Sequence, residues 1–139
     1  MSEELDVAVS RLKIEEGYRE KAYKDTVGHW TIGYGFNIDA GMPERVAAAC
    51  LREYATMVEE ELSGFDWYKI LDANRRSVLI DMAYNMGEDD LLHFHNTLLA
   101  VSRKDWQAAH DGMLASKWAT QVGVRAQRLA NIMLTGELT

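Results

Sequence analysis

Hydrophobic residues recur at helical spacing near the N-terminus of the chain. Leu5, Val9 and Leu12 are separated by four and then three positions, and Glu16 follows four positions later. Residues spaced in this way lie on one face of a helix. The pattern therefore predicts a helix from about residue 3 to Glu16, with a carboxylate at its C-terminal end.

The pattern changes to a period of two in the stretch WTIGYGF, residues 30–36. Large side chains alternate there with threonine and glycine, which predicts a strand with one bulky face and one nearly bare face. The preceding KAYKDT predicts the partner strand of a hairpin whose turn is centred on Gly28. In that register Asp25 faces Thr31, on the bare face that also carries Gly33 and Gly35.

Helical spacing returns after residue 42 and continues to the C-terminus. The predicted helices are PERVAAACLREYATMVEEEL, SVLIDMAYNMG ending at Gly87, and three shorter ones at about 97–103, 106–114 behind the N-cap Asp105, and 124–134 before Gly136. The predicted fold class is α+β and mostly helical, with a small N-terminal β-hairpin and a larger helical body.

Composition narrows the functional classes. The chain has 139 residues, 47% hydrophobic and 27% charged, which suits one domain with a buried core. Its single cysteine, Cys50, excludes an internal disulfide, and the net charge of −7 argues against binding nucleic acid through phosphates.

The N-terminus does not resemble a signal peptide, and no stretch is long and apolar enough to span a membrane. We expect synthesis in a cytoplasm.

Two carboxylates on adjacent elements suggest glycoside hydrolysis. The C-terminal end of a helix dipole, together with partial burial against the hairpin, would favour the protonated acid at Glu16. Asp25, among polar neighbours, would remain ionised. One carboxyl that donates a proton and a second that activates water or attacks directly are what cleavage of a glycosidic bond requires.

These residues also carry a family resemblance. The pairs Glu16-Gly17 and Asp25-Thr26, followed by Thr31-Ile32-Gly33-Tyr34-Gly35, resemble the signature of the T-even phage-type lysozymes, glycoside hydrolase family 24. Further blocks occur in the family's order: LDANRR at 71–76, MAYNMGE at 82–88, FHNT at 94–97 and SKW at 116–118. The resemblance implies a lysozyme-like two-lobe fold, divided into a reduced β lobe at 17–41, a connecting helix at 42–62, and a helical body of 1–16 plus 63–139.

The resemblance also implies a function. It suggests a muramidase that hydrolyses the β-1,4 bond between N-acetylmuramic acid and N-acetylglucosamine with inversion. Glu16 would be the general acid, Asp25 the carboxylate that positions water, and Thr31 its helper. The implied sugar contacts are Asn37, Tyr84 and Thr97. Two departures are Phe36, where the family commonly has histidine, and a very short segment between Asn37 and Met42.

The implied setting is a phage or prophage endolysin. It would be made in the bacterial cytoplasm, act on peptidoglycan outside the inner membrane, depend on a holin-type membrane partner, work as a monomer and need no cofactor. Two alternatives stay open, a lytic transglycosylase and a non-catalytic wall-binding or scaffold domain. A metal site at His93-Phe94-His95 is a third possibility, but an exposed loop is the preferred interpretation.

Overall fold

The computed structural model describes residues 2–138. The chain divides into two compact units, Met1–Ala49 and Cys50–Thr139, with the boundary inside a long helix. The fold is α+β and mostly helical, as predicted. The finer division, which assigns residues 1–16 to the helical body, stays a prediction.

The first unit begins with helix α1, Glu3–Glu16, as the spacing predicted. The Ser2 hydroxyl accepts a hydrogen bond from the Leu5 N–H at the N-terminal end. At the other end Gly17 has a φ of 69° and its N–H donates to the Lys13 carbonyl, so the helix stops directly after Glu16. The catalytic candidate is therefore the last helical residue.

An antiparallel three-stranded sheet follows, and it differs from the predicted hairpin. Its strands, in the order β1-β2-β3, are Arg19–Lys24, Trp30–Gly33 and Phe36–Asn37. The predicted single strand over 30–36 is wrong because the backbone is left-handed at Gly33 (φ 68°) and Gly35 (φ 77°), which folds the chain back on itself. Gly33 is the last residue of β2 and Gly35 lies in the turn that follows, so the two do not form one flat strand face.

The predicted hairpin register is also wrong. Thr31 pairs with Tyr23, and Trp30 pairs with Lys24, so Asp25 does not face Thr31 directly. The β1–β2 pairing also contains an irregularity between Arg19 and Tyr23. Asp25 lies instead at the start of the turn, where its N–H donates to the His29 carbonyl. The turn is thus one residue earlier than the centre predicted at Gly28.

The second unit consists of helices. Helix α2, Glu44–Leu62, spans the boundary between the two units. The remaining helices are α3 Asp66–Lys69, α4 Ala73–Met86, α5 Glu88–Leu92, α6 His95–Ser102, α7 Trp106–Leu114, α8 Lys117–Val122 and α9 Val124–Thr135. The predicted helices are all present, and the Asp105 cap accepts from the Ala108 N–H. Helices α3, α5 and α8 were not predicted, because each is too short for its spacing to repeat.

The largest side chains in the core of this unit come from α2, α4, α5, α6, α7 and α9. The largest fully buried ones are Leu62, Val78, Leu79, Met82, Leu91, Val101, Met113 and Met133. Trp118 is buried beside them, and its indole N–H donates to the Asn85 side chain at 3.0 Å. No helix within residues 2–138 combines the length and apolar character that crossing a bilayer requires.

Arg75 connects α4 to the C-terminal end of α9 through a set of contacts that we call the Arg75 clamp. Its Nε donates to the Met133 carbonyl at 2.7 Å and its Nη2 to the Leu134 carbonyl at 3.1 Å. The guanidinium lies 3.9 Å from the ring centroid of Trp106 and donates from Nη1 to Asp72. Partial burial acts to raise the pKa of Asp72, but hydrogen bonds from Arg75 outweigh it and hold that pKa below its ordinary value.

We expect Arg75→Ala to lower the free energy of unfolding by about 3 kcal/mol, because two helix-end carbonyls lose a charged donor. The stability of Arg75→Lys should lie between those of Arg75→Ala and the unaltered protein, because lysine keeps the charge and loses the planar guanidinium. Urea unfolding followed by circular dichroism measures both. Arg128→Ala, exposed on α9, is the matched control with a change below about 0.5 kcal/mol. Equal effects at Arg75 and Arg128 would contradict the role of the clamp.

Candidate active site

Glu16 lies against the turn between β2 and β3. Its carboxylate is so close to Gly35 that a Cβ atom added at that glycine would overlap it, with the Glu16 Cδ at 2.9 Å. Tyr18, just after α1, packs on Tyr34 in the same turn, with ring centroids 5.7 Å apart. The predicted partial burial of Glu16 is wrong, because the residue is exposed. The absence of a side chain at Gly35 thus allows the Glu16 carboxylate to approach the backbone of the turn closely.

The Asp25 carboxylate is held by the turn in which it lies. Its Oδ1 accepts hydrogen bonds from the Val27 N–H at 3.0 Å and from the His29 N–H at 2.8 Å. The Gly28 N–H donates to the Asp25 carbonyl, with Gly28 at a φ of 89°. The second carboxylate oxygen, Oδ2, lies 3.8 Å from the His29 Nδ1. The turn therefore fixes one oxygen and leaves the other for chemistry.

Thr31 occupies the middle of the sheet and is only 4% exposed. Its cross-strand partners are Tyr23 on β1 and Asn37 on β3, and its hydroxyl donates to the His29 carbonyl at 3.0 Å. Directly paired residues share a sheet face. The structure therefore brings Thr31 and Asn37 together, and places Tyr23 where the sequence predicted Asp25. Asn37 uses its Oδ1 to accept from the Ala40 N–H at 3.2 Å.

The two site candidates in the second unit line separate cavities. Tyr84 on α4 is exposed and lines a cavity of about 430 Å³ with Tyr54, Met57, Val58, Glu61 and Ala83. Thr97 on α6 is only 6% exposed and lines another of about 460 Å³ with His93, Phe94, His95, Asn96, Gly112, Ala115 and Ser116. The structure does not bring Tyr84 and Thr97 into one pocket.

Two carboxyl groups near the Tyr84 cavity were not found from the sequence. The Glu88 carboxyl on α5 donates a hydrogen bond to Glu61 on α2. This contact, desolvation and repulsion by Glu61 and Asp89 raise the pKa of Glu88 above its ordinary value of 4.5. Glu61 is the last of three consecutive glutamates at 59–61, and such a run is typical of a solvated helix face. No local pattern marks the contact, since tertiary folding creates it.

The histidine pair lies beside the Thr97 cavity. The rings of His93 and His95 meet edge to face with centroids 6.2 Å apart, and both residues are exposed. In the part of the chain that the structure covers, no three histidine, cysteine, aspartate or glutamate side chains converge as metal ligands.

The structure thus places a helix-end glutamate, a turn aspartate and a sheet threonine within one small unit. The family described as Phage lysozyme matches residues 13–132, and the chain belongs to this family. The match begins just before Glu16 and covers all six predicted site residues.

Three proteins with similar sequences come from a eukaryote and two phages. The Probable T4-type lysozyme 2 of Dictyostelium discoideum is 27% identical, with 91% of this chain and 93% of the relative covered. The Endolysin of Salmonella phage P22 is 31% identical, covering 80% of this chain and 81% of the phage protein. The Pre-baseplate central spike protein Gp5 of Enterobacteria phage T4 is 27% identical over 91% of this chain, but only 27% of the spike protein.

The contact between Glu16 and Gly35 can be tested with a pair of glycine substitutions. Gly35→Ala and Gly41→Ala both place a Cβ on left-handed backbone, at φ 77° and 81°, and each should cost about 1–2 kcal/mol. Only Gly35→Ala also collides with the Glu16 carboxylate, because nothing lies within 4 Å of a Cβ at Gly41. The side-chain carboxyl resonance of Glu16 in carbon-13 NMR should move in Gly35→Ala and stay in Gly41→Ala. An unmoved resonance in both would refute the contact.

The Glu61–Glu88 contact predicts a pH-dependent stability. A raised folded-state pKa favours folding at low pH, and this contribution is lost as pH rises through the folded pKa of Glu88. Glu88→Gln should therefore raise stability at neutral pH, with a gain that shrinks as the pH falls toward 4.5, the ordinary value. Thermal unfolding across pH measures it.

Glu60→Gln, at an exposed position on α2, removes one charge without removing this contact. It controls for the general effect of reducing the net charge of −7. A gain of equal size in Glu60→Gln at every pH would show that net charge alone is responsible.

Proposed function

We propose that the protein is a muramidase that hydrolyses the β-1,4 bond between N-acetylmuramic acid and N-acetylglucosamine of peptidoglycan. Membership of the phage lysozyme family supports a lysozyme activity. The observation that carries the proposal is the hydrogen bonding of both Asp25 and Thr31 to His29, in the unit where Glu16 lies against Gly35. Two of the side chains that the chemistry needs are thus held by hydrogen bonds to backbone groups, and the third lies against the turn at Gly35.

Glu16 is proposed as the general acid. Its carboxyl group would donate a proton to the glycosidic oxygen as the bond to the anomeric carbon breaks, so that the leaving sugar departs as a neutral alcohol. An exposed position at the end of α1 gives a polymeric substrate access to it. The absence of a side chain at Gly35 gives the carboxyl the space that it occupies beside the turn.

Asp25 and Thr31 are proposed to hold the attacking water. Oδ1 of Asp25 already accepts two N–H groups, so Oδ2 is the oxygen that can accept a proton from water. The Thr31 hydroxyl proton is used by the His29 carbonyl, which leaves its oxygen as an acceptor. A water that donates to both oxygens directs its lone pair at the anomeric carbon. Attack from the face opposite the leaving group inverts the configuration and calls for carboxyls about 6.5–9.5 Å apart.

The remaining candidates are proposed as sugar contacts. Asn37 pairs with Thr31 in the sheet, and its side-chain amide N–H groups remain as donors while Oδ1 accepts from Ala40. The exposed ring of Tyr84 offers a flat apolar surface and a hydroxyl, which suits a pyranose. Thr97 is nearly buried, so it would contribute through its hydroxyl at a cavity wall. No cofactor is needed for this reaction.

We further propose an endolysin role in host lysis. The similarity to the Endolysin of phage P22 supports this role. The proposal includes synthesis in the bacterial cytoplasm, action as a monomer and access to the wall through a holin-type membrane partner. The similarity to the central spike protein of phage T4 favours a second candidate, a domain carried on a virion. In both candidate roles the protein would hydrolyse the same bond of peptidoglycan, and the roles differ in how the protein reaches the cell wall.

Digestion of purified peptidoglycan tests the activity. The unaltered protein should release muropeptides with free reducing muramic acid ends, and Glu16→Gln should release at least about 10³-fold less, because the amide cannot donate the proton. Mass spectrometry identifies the ends, and proton NMR of early products should show the α-anomer. Glu15→Gln, on the neighbouring exposed residue, is the matched control and should remain active.

Other products would reassign the reaction. Anhydro-muramic ends would identify a lytic transglycosylase, and an initial β-anomer would identify a retaining hydrolase. Binding of peptidoglycan without any cleavage by the unaltered protein would support the non-catalytic wall-binding domain.

A further inference from the structure

His29 connects the two residues proposed to hold water. Its backbone N–H donates to Asp25 Oδ1 at 2.8 Å, its carbonyl accepts the Asp25 N–H at 2.9 Å, and the same carbonyl accepts the Thr31 hydroxyl at 3.0 Å. These links involve only the backbone of His29. Any side chain that tolerates this conformation would preserve them, so they do not explain why the side chain is an imidazole.

The imidazole itself faces the free oxygen of Asp25. Its Nδ1 lies 3.8 Å from Oδ2, with side-chain exposures of 52% for His29 and 33% for Asp25. At this separation the two atoms form no direct hydrogen bond, and the half-exposed ring must rotate toward Oδ2 to make one. The imidazole is thus the only group that the turn adds to Oδ2, since both of its backbone donors bind Oδ1.

Two charged side chains contact Trp30, the residue that follows His29. The Asp39 carboxylate accepts the Trp30 N–H at 3.1 Å, and the ammonium of Lys24 lies 5.4 Å from the Trp30 ring centroid. Asp25 is the charged residue whose side chain the structure places within ion-pair distance of the imidazole.

We propose that His29 is a positioning residue that orients Asp25 through an Nδ1–H contact to Oδ2. The proposal rests on the proposed hydrolase function. A carboxylate anchored at Oδ1 alone can still swing about that oxygen. A donor at Oδ2 restricts this rotation and keeps the remaining lone pair of Oδ2 directed at the water. The neutral imidazole is sufficient, because its Nδ1–H tautomer donates to the carboxylate while Nε2 faces solvent.

Substitution of His29 by each of the two amide residues distinguishes a donor at the Nδ1 position from a donor at the Nε2 position. Asparagine places its NH₂ group where Nδ1 lies, and glutamine places it nearer to Nε2. His29→Asn should keep kcat within about twofold of the unaltered protein, and His29→Gln should lower kcat about tenfold with KM unchanged, because orientation of the water affects only the reacting complex. Initial rates on soluble glycan fragments give both constants. Equal kcat values in the two variants would overturn the proposal.

His110 supplies a matched control. Its Nδ1 also faces an aspartate, at 2.8 Å from Asp111 Oδ1, but it lies on α7 outside the proposed machinery. His110→Gln should leave kcat and KM unchanged. A tenfold loss there would show that histidine substitutions disturb the protein generally, and would overturn the assignment to His29.

A spectroscopic measurement separates this proposal from the proposed function. Nitrogen-15 NMR at alkaline pH reports which nitrogen of the neutral imidazole carries the proton. Asp25→Asn should shift the His29 population from Nδ1–H toward Nε2–H, because the carboxylate acceptor is lost. An unchanged tautomer overturns the proposal even in an active enzyme. A shifted tautomer supports the contact between His29 and Asp25. If the Glu16→Gln variant is fully active at the same time, the proposed acid catalysis fails and the contact stands.

Discussion

Left-handed backbone at Gly33 and Gly35 is the constraint on which the first unit depends. It folds the chain after β2 back into β3, and so places Asn37 beside Thr31 in the sheet. The same absence of a Cβ at Gly35 lets the Glu16 carboxylate approach the turn. At Gly33 the ring of Phe36 occupies the space that a side chain would need, so each glycine fits a different neighbour. Helix, turn and sheet are thus joined through two residues that have no side chain.

Much of the helical body could be predicted from the sequence because its signals are local. Periodic apolar residues, the Asp105 cap and the glycines after α4 and α9 act within a turn of the helix they mark. The identities of Glu16, Asp25 and Thr31 were also accessible, since their types and order carry the resemblance. What remains a hypothesis is the role of each in chemistry.

The errors have a common physical origin. Alternation of large and small residues over 30–36 suggests a strand, but the pattern cannot report the sign of φ, and positive φ at two glycines ends the strand early. The register error arose because the Asp25 side chain caps its own turn, which moves the turn by one residue. The Glu61–Glu88 contact and the Arg75 clamp depend on helices that are distant in sequence, and no local spacing encodes them.

The approach of α6 to α7 has a consequence for how this sequence can vary. Gly112 lies so close to Thr97 that an added Cβ would overlap the threonine hydroxyl and come within 3.5 Å of its Cβ. The two positions therefore share one small volume in a densely packed region. A larger residue at 112 requires a smaller one at 97, so the hydroxyl at the cavity wall and the glycine behind it should be gained or lost together. Covariation between these positions would then record packing, even where the hydroxyl itself serves the substrate.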